Sequence, residues 1–256
     1  MSSPAARGEV ILRTDGLTCD FGALRAVNHV SLAVRTGTLH SVIGPNGSGK
    51  TTLFNLICRE LPPTEGRVYF EGHDLTGRPA HALPHLGLAR CFQRTNVFPK
   101  LTVYENVWVA VFSRARPGAA GWLRRAAEFP AVDADTRRIL ADVGLAHRST
   151  ARAETLSHGQ QRALEVGVAL GSSPRLLLLD EPTQGLAPEA TQEMTRLVQG
   201  LVGRYTILLI EHKMRIVMAI SDRISVMAVG EVIAEGTPDE VRENRDVHRA
   251  YLGTRR

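Results

Sequence analysis

The 256-residue chain has no long apolar run. Its longest stretch without a charged residue, Thr36 to Gly49, is 14 residues and holds a histidine, a Pro-Asn pair and four glycines. A bilayer-spanning helix needs about 20 predominantly apolar residues, so the sequence predicts no membrane span. No basic-then-apolar leader opens the chain: Met1 to Arg7 runs into a strand-like Glu9–Leu12 segment, which argues against secretion. Cysteine is scarce as well. Cys19, Cys58 and Cys91 form an odd, widely spaced set without metal-ligand spacing, which predicts no disulfide framework and fits a reducing compartment. Lysine is almost absent: Lys50, Lys100 and Lys213 are the three lysines among 31 basic residues.

The apolar fraction of 43% with 22% charged residues is enough to bury a real core, so a folded globular chain is expected. The net charge of +5 would suit an anionic membrane face or nucleic acid. No dense basic run accompanies it, and arginine-rich coding explains it equally well. Strand patterning dominates the first third: Val30, Leu32 and Val34 alternate with polar neighbours, and Leu39–Ile43 is a compact apolar run ending in glycine-rich chain. Val68–Glu71 and Leu88–Gln93 read as further strands. Between Thr102 and Leu156 the spacing turns helical (Val103, Val107, Val111, then Ile139, Leu140, Val143), with breaks expected at Arg116-Pro117-Gly118 and Phe129-Pro130. Beyond it, the apolar runs Leu176–Leu179 and Thr206–Ile210 alternate with helical segments, as buried parallel strands with crossover helices do. Ile224–Val229 and Glu231–Glu235 flank Gly230 as a hairpin.

Gly44-Pro45-Asn46-Gly47-Ser48-Gly49-Lys50-Thr51 fits the phosphate-binding pattern G-x-x-x-x-G-K-[ST], directly after a strand and before the helical Thr52–Leu61. Glycines let backbone N–H groups turn toward phosphate oxygens, and the helix N-terminus adds its positive end. Lys50 supplies a point charge to the β- and γ-phosphates, and the Thr51 hydroxyl can ligate Mg²⁺. Leu176–Leu179 then delivers Asp180 toward that ion at a strand end, with Glu181 directed elsewhere by strand alternation and able to polarise an attacking water.

In these motifs the chain resembles the ATP-binding subunit of an ABC transporter over nearly its whole length. The resemblance rests on Gly44–Thr51, Phe92-Gln93, Leu156-Ser157-His158-Gly159-Gln160-Gln161, Asp180-Glu181 and His212. The signature segment departs from the usual Leu-Ser-Gly-Gly-Gln by carrying His158, which leaves the Ser157 hydroxyl and Gly159 backbone at a helix N-terminus. A Ser-x-Gly before a helix is also an ordinary cap. The loop Gln184-Gly185-Leu186-Ala187-Pro188 lacks the family's frequent aspartate.

The resemblance implies an α/β fold: a phosphate-loop NTPase core with a mostly parallel sheet, an antiparallel β subdomain and a helical insert. The ABC domain is expected over 9–256, the insert over about 95–160, and a flexible N-terminus over 1–8. It implies ATP and Mg²⁺ as cofactors. Nucleotide contacts fall on Phe21, Gly44, Pro45, Asn46, Gly47, Ser48, Gly49, Lys50, Thr51 and Thr52, and on Ser157, Gly159 and Gln160 of a facing subunit. Phe21 would stack on adenine, although an aromatic near a turn fits core packing too. Glu181, His212, Gln93 and Lys50 take catalytic roles, and Thr51, Gln93 and Asp180 face the metal. His212 would contact the γ-phosphate, and Gln93 would reach both Mg²⁺ and water.

The implied activity is ATP hydrolysis driving an importer, with membrane permease subunits, an identical or paralogous second ATP-binding subunit and, indirectly, an external substrate-binding protein as partners. Nucleic acid is not expected as a partner, and the chain would sit at the cytoplasmic face of the inner membrane. Phe98–Val107, Asp180–Pro188, Glu235–Pro238 and Ala250–Gly253 are similar to the branched-chain amino-acid uptake subfamily; urea and short-amide importers share these features. A soluble ABC-family ATPase would need coiled-coil arms or fused nucleotide domains, and the chain has neither.

Overall fold

The computed structural model describes residues 8–91, 97–115 and 128–252. Of the segment expected to be loose, Gly8 alone is described, and its N–H donates to the Thr36 carbonyl. The chain divides into two compact units: Met1–Leu83 with Leu178–Glu181 and Val202–Arg256, and Pro84–Leu177 with Pro182–Leu201.

The first unit opens with two long strands, β1 (Val10–Phe21) and β2 (Leu24–Arg35), joined by a tight turn. With β4 (Glu65–Phe70) and the short β5 (His73–Asp74) they form an antiparallel sheet in the order β2-β1-β4-β5. The expected alternation is seen in β2, where Val30, Leu32 and Val34 are buried and Ser31 is exposed. Five further strands lie in the order β10 (Glu231–Gly236), β9 (Arg223–Ala228), β3 (Leu39–Ile43), β8 (Thr206–Ile210) and β7 (Leu176–Asp180). β3 runs parallel to β8 and β9, while β9 and β10 form the expected antiparallel hairpin. Every residue of β3, β7 and β8 is buried, as strands covered on both faces require.

The same unit holds α1 (Lys50–Ile57) and, after a one-turn helix α2 (Leu83–Leu86) at the boundary, the second unit begins. There β6 (Leu88–Cys91) lies by the start of β7, and the Gly87 carbonyl accepts from both the Arg175 and Leu176 N–H groups. Among the described residues four α-helices follow: α3 (Val103–Arg114), α4 (Pro130–Asp142), α5 (His158–Gly171) and α6 (Pro188–Leu201). The Val103, Val107, Val111 stripe of α3 is buried as its spacing indicates. A capping box starts the helix: the Thr102 hydroxyl accepts from the Glu105 N–H, and the Glu105 carboxylate accepts from the Thr102 N–H.

The expected break at Phe129-Pro130 is present: Phe129 is non-helical and Pro130 opens the next helix, where a proline in the first turn forfeits an N–H that has no helical partner. The Arg116-Pro117-Gly118 break lies outside the described residues. The unit also exceeds the 95–160 stretch on both sides. Its core draws in α5, whose Gly167 packs against Val107, Ile139 and Val143.

The first unit closes with α7 (Met214–Ile220), α8 (Pro238–Glu243) and α9 (Arg245–Leu252). Ile43, Val217, Ile224, Val226, Val241 and Val247 form one buried cluster between these helices and the sheet. Cys19, Cys58 and Cys91 are buried and form no disulfide. No helix among the described residues is long and apolar enough to cross a membrane.

A polar relay crosses the sheet beside this cluster. His40, 1% exposed, sits with Nε2 2.8 Å from Ser225 Oγ. The Ser225 hydroxyl donates to Glu235 over 3.2 Å, and Glu235 also accepts from Arg223 at 2.7 Å. A serine that donates to Glu235 accepts from a neutral imidazole carrying its proton on Nε2. Burial pushes His40 down to about 4, against the pull of Glu235, with Arg223 lowering it further. The ring therefore protonates more readily unfolded than folded. Its contribution is complete above the unfolded value of 6.5 and is lost as pH falls from there toward 4. The wild type should lose roughly 3 kcal/mol more stability over that window than His40→Gln, read from urea midpoints.

Candidate functional site

The phosphate loop leaves β3 at Ile43 and enters α1 at Lys50. Gly49 precedes the helix in the left-handed region (φ 98°), and no side chain caps the helix N-terminus. This leaves the first-turn amides to a ligand, the arrangement that binds anions. A Cβ on Gly49 would stand 2.4 Å from the Ala26 carbonyl oxygen, so β2 presses directly on the loop. The Gly230 N–H of the β9–β10 turn donates to the Ser48 carbonyl, and the Gly230 carbonyl accepts from the Asn28 N–H.

Lys50 is 6% exposed, and its ammonium donates to the Gly44 carbonyl at 2.8 Å, the Pro45 carbonyl at 2.9 Å and Ser48 Oγ at 3.4 Å. Burial lowers the Lys50 pKa while the Glu181 and Asp180 carboxylates oppose that shift. A pocket of about 330 Å³ runs along this loop. Phe21 and Leu24 line it together with Asn46–Thr52 and Glu181. Phe21 and Leu24 are 50% and 66% exposed, so Phe21 is no core residue. Asn46, Gly47 and Thr51 are exposed beside them.

Asp180 ends β7 and is 3% exposed. Glu181 is turned by its own backbone rather than by strand alternation, since it has left the strand with φ 49°. Its N–H donates to the Ile210 carbonyl, which fixes this unusual residue against the end of β8. His212 Nδ1 lies 3.8 Å from Glu181 Oε2 and 3.4 Å from Glu211 Oε1. Glu211, fully buried, accepts from the His212 N–H at 2.9 Å and the Lys213 N–H at 3.1 Å. Glu211 thus shapes the turn that presents His212, a role the sequence reading left unassigned.

Phe21, Gly44–Thr52, Asp180, Glu181 and His212 therefore all belong to the first unit. Ser157, Gly159 and Gln160 belong to the second, and Gln93 lies outside the described residues. Ser157 caps α5: its hydroxyl accepts from the Gln160 N–H at 3.3 Å, and its N–H donates to Gln160 Oε1 at 3.1 Å. The His158 ring packs on Gly185, where a Cβ would meet its Cε1 at 3.3 Å, so the glycine of that loop makes room for the histidine. A larger groove of about 580 Å³ in the same unit runs past His147, Gln160 and Glu193. It has no phosphate-binding loop.

A phosphate-cradling loop, a buried lysine and a strand-end carboxylate pair can bind and cleave a nucleoside triphosphate. A family profile described as ABC transporter matches residues 27–184. The chain belongs to the ABC transporter family. A second profile, described as branched-chain amino acid ATP-binding cassette transporter, matches residues 231–256 of this ABC protein. It is 40% identical over 249 residues, 95% of the chain and 98% of the relative, to the high-affinity branched-chain amino acid transport ATP-binding protein LivG of Salmonella typhimurium. BraF of Pseudomonas aeruginosa, named for the same transport, is 39% identical over the same shares. Among solved structures, an ATP-binding cassette of an ABC transporter in its ADP conformation matches with a TM-score of 0.83 at 34% identity, over 96% of this chain and 99% of that one. A dimeric post-hydrolysis cassette bound to ADP and Pi matches with a TM-score of 0.74 at 26% identity, over 89% and 98%. The fold is that of an ABC ATPase, and the ABC subunit is an ATPase coupled to transport.

Gly49→Ala tests the loop of this ABC ATPase. The added methyl must displace the Ala26 carbonyl and hold φ 98°. MgATP affinity measured by fluorescent-nucleotide titration should fall at least about tenfold, together with the melting temperature.

Proposed function

We propose that this chain powers a branched-chain amino-acid importer, binding ATP between two copies of the fold and hydrolysing it to drive membrane permease subunits. The full-length identity to LivG and BraF carries this reading, and the profile match over 231–256 supports the subclass. The transported molecule is chosen by the permease and the external binding protein, so the reading is tested on the assembled system. Reconstituted with its genomically neighbouring permease and binding-protein subunits, the chain should drive uptake of labelled leucine, isoleucine or valine. Uptake of urea alone would overturn the subclass.

The residue roles in this reading come from the family resemblance, supported by the placement of Phe21, Lys50, Asp180 and Glu181. Adenine stacks on exposed Phe21 and the triphosphate lies along Asn46–Thr52, with Lys50 exchanging its bonds to the loop carbonyls for phosphate oxygens. The Thr51 hydroxyl and the Asp180 carboxylate are hard oxygen donors of the kind Mg²⁺ takes, usually one or two from protein and the rest from phosphate and water. The ion would neutralise charge developing on the phosphates. No group of three or more His, Cys, Asp and Glu residues poised for a metal exists among the described residues, and this ion needs none. Gln93, outside the described residues, would reach the ion and the water as the family resemblance implies.

Glu181 accepts the proton of the attacking water as the new oxygen–phosphorus bond forms. The bond between the β–γ bridging oxygen and the γ-phosphorus then breaks, and ADP keeps the electron pair. His212 contacts the γ-phosphate. The signature residues Ser157, Gly159 and Gln160 of one subunit meet the γ-phosphate held by the other, so ATP joins the pair and hydrolysis releases it. Glu181→Gln should lower turnover by roughly 10²–10⁴-fold while ATP remains bound, read by phosphate release and nucleotide retention.

Phe98 is 58% exposed, and its backbone is clamped on both sides by buried Asn106: the Phe98 N–H donates to Oδ1 at 2.7 Å, and the Phe98 carbonyl accepts from Nδ2 at 3.1 Å. A rigidly presented apolar ring suits a permease helix. Phe98→Glu should abolish uptake in vesicles while ATPase of the isolated chain stays within about twofold of the parent, since an exposed ring contributes little to folding.

A further inference from the structure

Position 158 is where the signature departs from its usual glycine. His158 is the first residue of α5, directly after the Ser157 cap and its reciprocal bonds with Gln160. Its ring lies against the loop that precedes α6. A Cβ on Gly185 would stand 3.3 Å from His158 Cε1 and 3.9 Å from its Nδ1. One residue on, a Cβ on Gly159 would stand 3.0 Å from the Ala190 Cβ in the first turn of α6. Two consecutive signature residues therefore pack on one corner of chain, all of it inside the second unit.

That corner is ordered by short-range bonds. The carbonyl of Thr183, itself 2% exposed, accepts from the Leu186 N–H at 3.4 Å. The Ala187 carbonyl accepts from the Thr191 N–H at 2.8 Å, and the Leu186 carbonyl accepts from the Thr191 hydroxyl at 3.4 Å. Gly185 sits among these bonds at φ 71°, a conformation that favours glycine. Bulk at 158 is thus matched by the missing Cβ at 185. A histidine also narrows the backbone freedom that a glycine would give the start of α5.

We propose that His158 is a positioning residue of the signature: packed on Gly185, its ring holds Ser157 and Gly159 in the arrangement that meets the triphosphate of the facing subunit. This rests on the reading that ATP is bound between two copies of the fold. The step concerned is the joining of subunits rather than nucleotide capture, because Lys50 and the phosphate loop take up nucleotide within a single chain. The ring acts by packing, since its closest approach to Gly185 is through a carbon.

The test uses the full chain carrying Glu181→Gln, in which bound ATP is retained, with MgATP-driven dimerisation followed by analytical ultracentrifugation. His158→Ala should weaken dimerisation about tenfold, the scale on which touching residues couple, while the MgATP Kd of the dilute monomer stays within about twofold of the parent. His158→Phe keeps a ring over Gly185 and should restore dimerisation to within about threefold. Gly185→Ala, whose methyl meets the imidazole, should weaken dimerisation more in the histidine chain than beside His158→Ala. Unchanged dimerisation in His158→Ala overturns the proposal, as does a loss of monomer MgATP binding in that variant. A phenylalanine as weak as alanine overturns the packing role in favour of a polar one. Equal effects of Gly185→Ala in both chains overturn the interlock. A parent that binds MgATP and stays monomeric overturns the two-copy reading, and this proposal with it.

Discussion

The contact on which the site depends is backbone against backbone: the phosphate loop is pressed between carbonyl groups of strands that lie far away in sequence. Ala26 of β2 stands against Gly49, and Met227 of β9 stands against Gly44, at distances that leave no space for a Cβ. The glycines are therefore fixed by close approach as well as by φ. The Gly230 N–H adds a hydrogen bond to Ser48 from the same turn that meets Asn28 of β2. A loop braced in this way holds its amides in the orientation that an anion needs, which is the preorganisation that electrostatic binding requires.

The second constraint is electrostatic. Lys50 is buried with its three donors occupied by loop oxygens, and the Asp180 and Glu181 carboxylates favour its charged state. A lysine so placed exchanges partners when phosphate arrives instead of being desolvated afresh. On the other side, Glu211 spends its carboxylate on the backbone of His212 and Lys213. It holds the turn that sets His212 near Glu181. The buried Glu211 carboxylate thus serves the chain, while the Asp180 and Glu181 carboxylates favour the charged state of Lys50.

Much of this was legible in the sequence. The loop Gly44–Thr51, the strand-end pair Asp180-Glu181 and His212 are local patterns. Chemistry that needs contiguous residues leaves a contiguous trace. The fully buried strands Leu39–Ile43 and Thr206–Ile210 were read for the same reason, because an apolar run flanked by turns has few other fates. Less legible were residues whose role comes from distant partners. Phe21 was read as the adenine-stacking ring with core packing as the alternative, and its exposure beside the loop removes that alternative. The break at Phe129-Pro130 was legible, since proline interrupts a helix at the residue before it and can open the next one. Glu181 carried the expected side chain for an unexpected reason, a left-handed backbone held by Ile210.

The sequence by itself determined the chemistry: a nucleotide loop, an acidic strand end, a family signature altered at His158, and the lack of an apolar run that could span a bilayer. These are properties of residue type and spacing within a dozen positions. The tertiary structure decided what holds the chemistry in place. Ala26, Met227 and Gly230 carry no motif, and each acts through a backbone atom brought to the loop by the sheet order. Such contacts depend on which strands become neighbours, and strand pairing across two hundred residues is set by the packing of the whole core rather than by any local pattern.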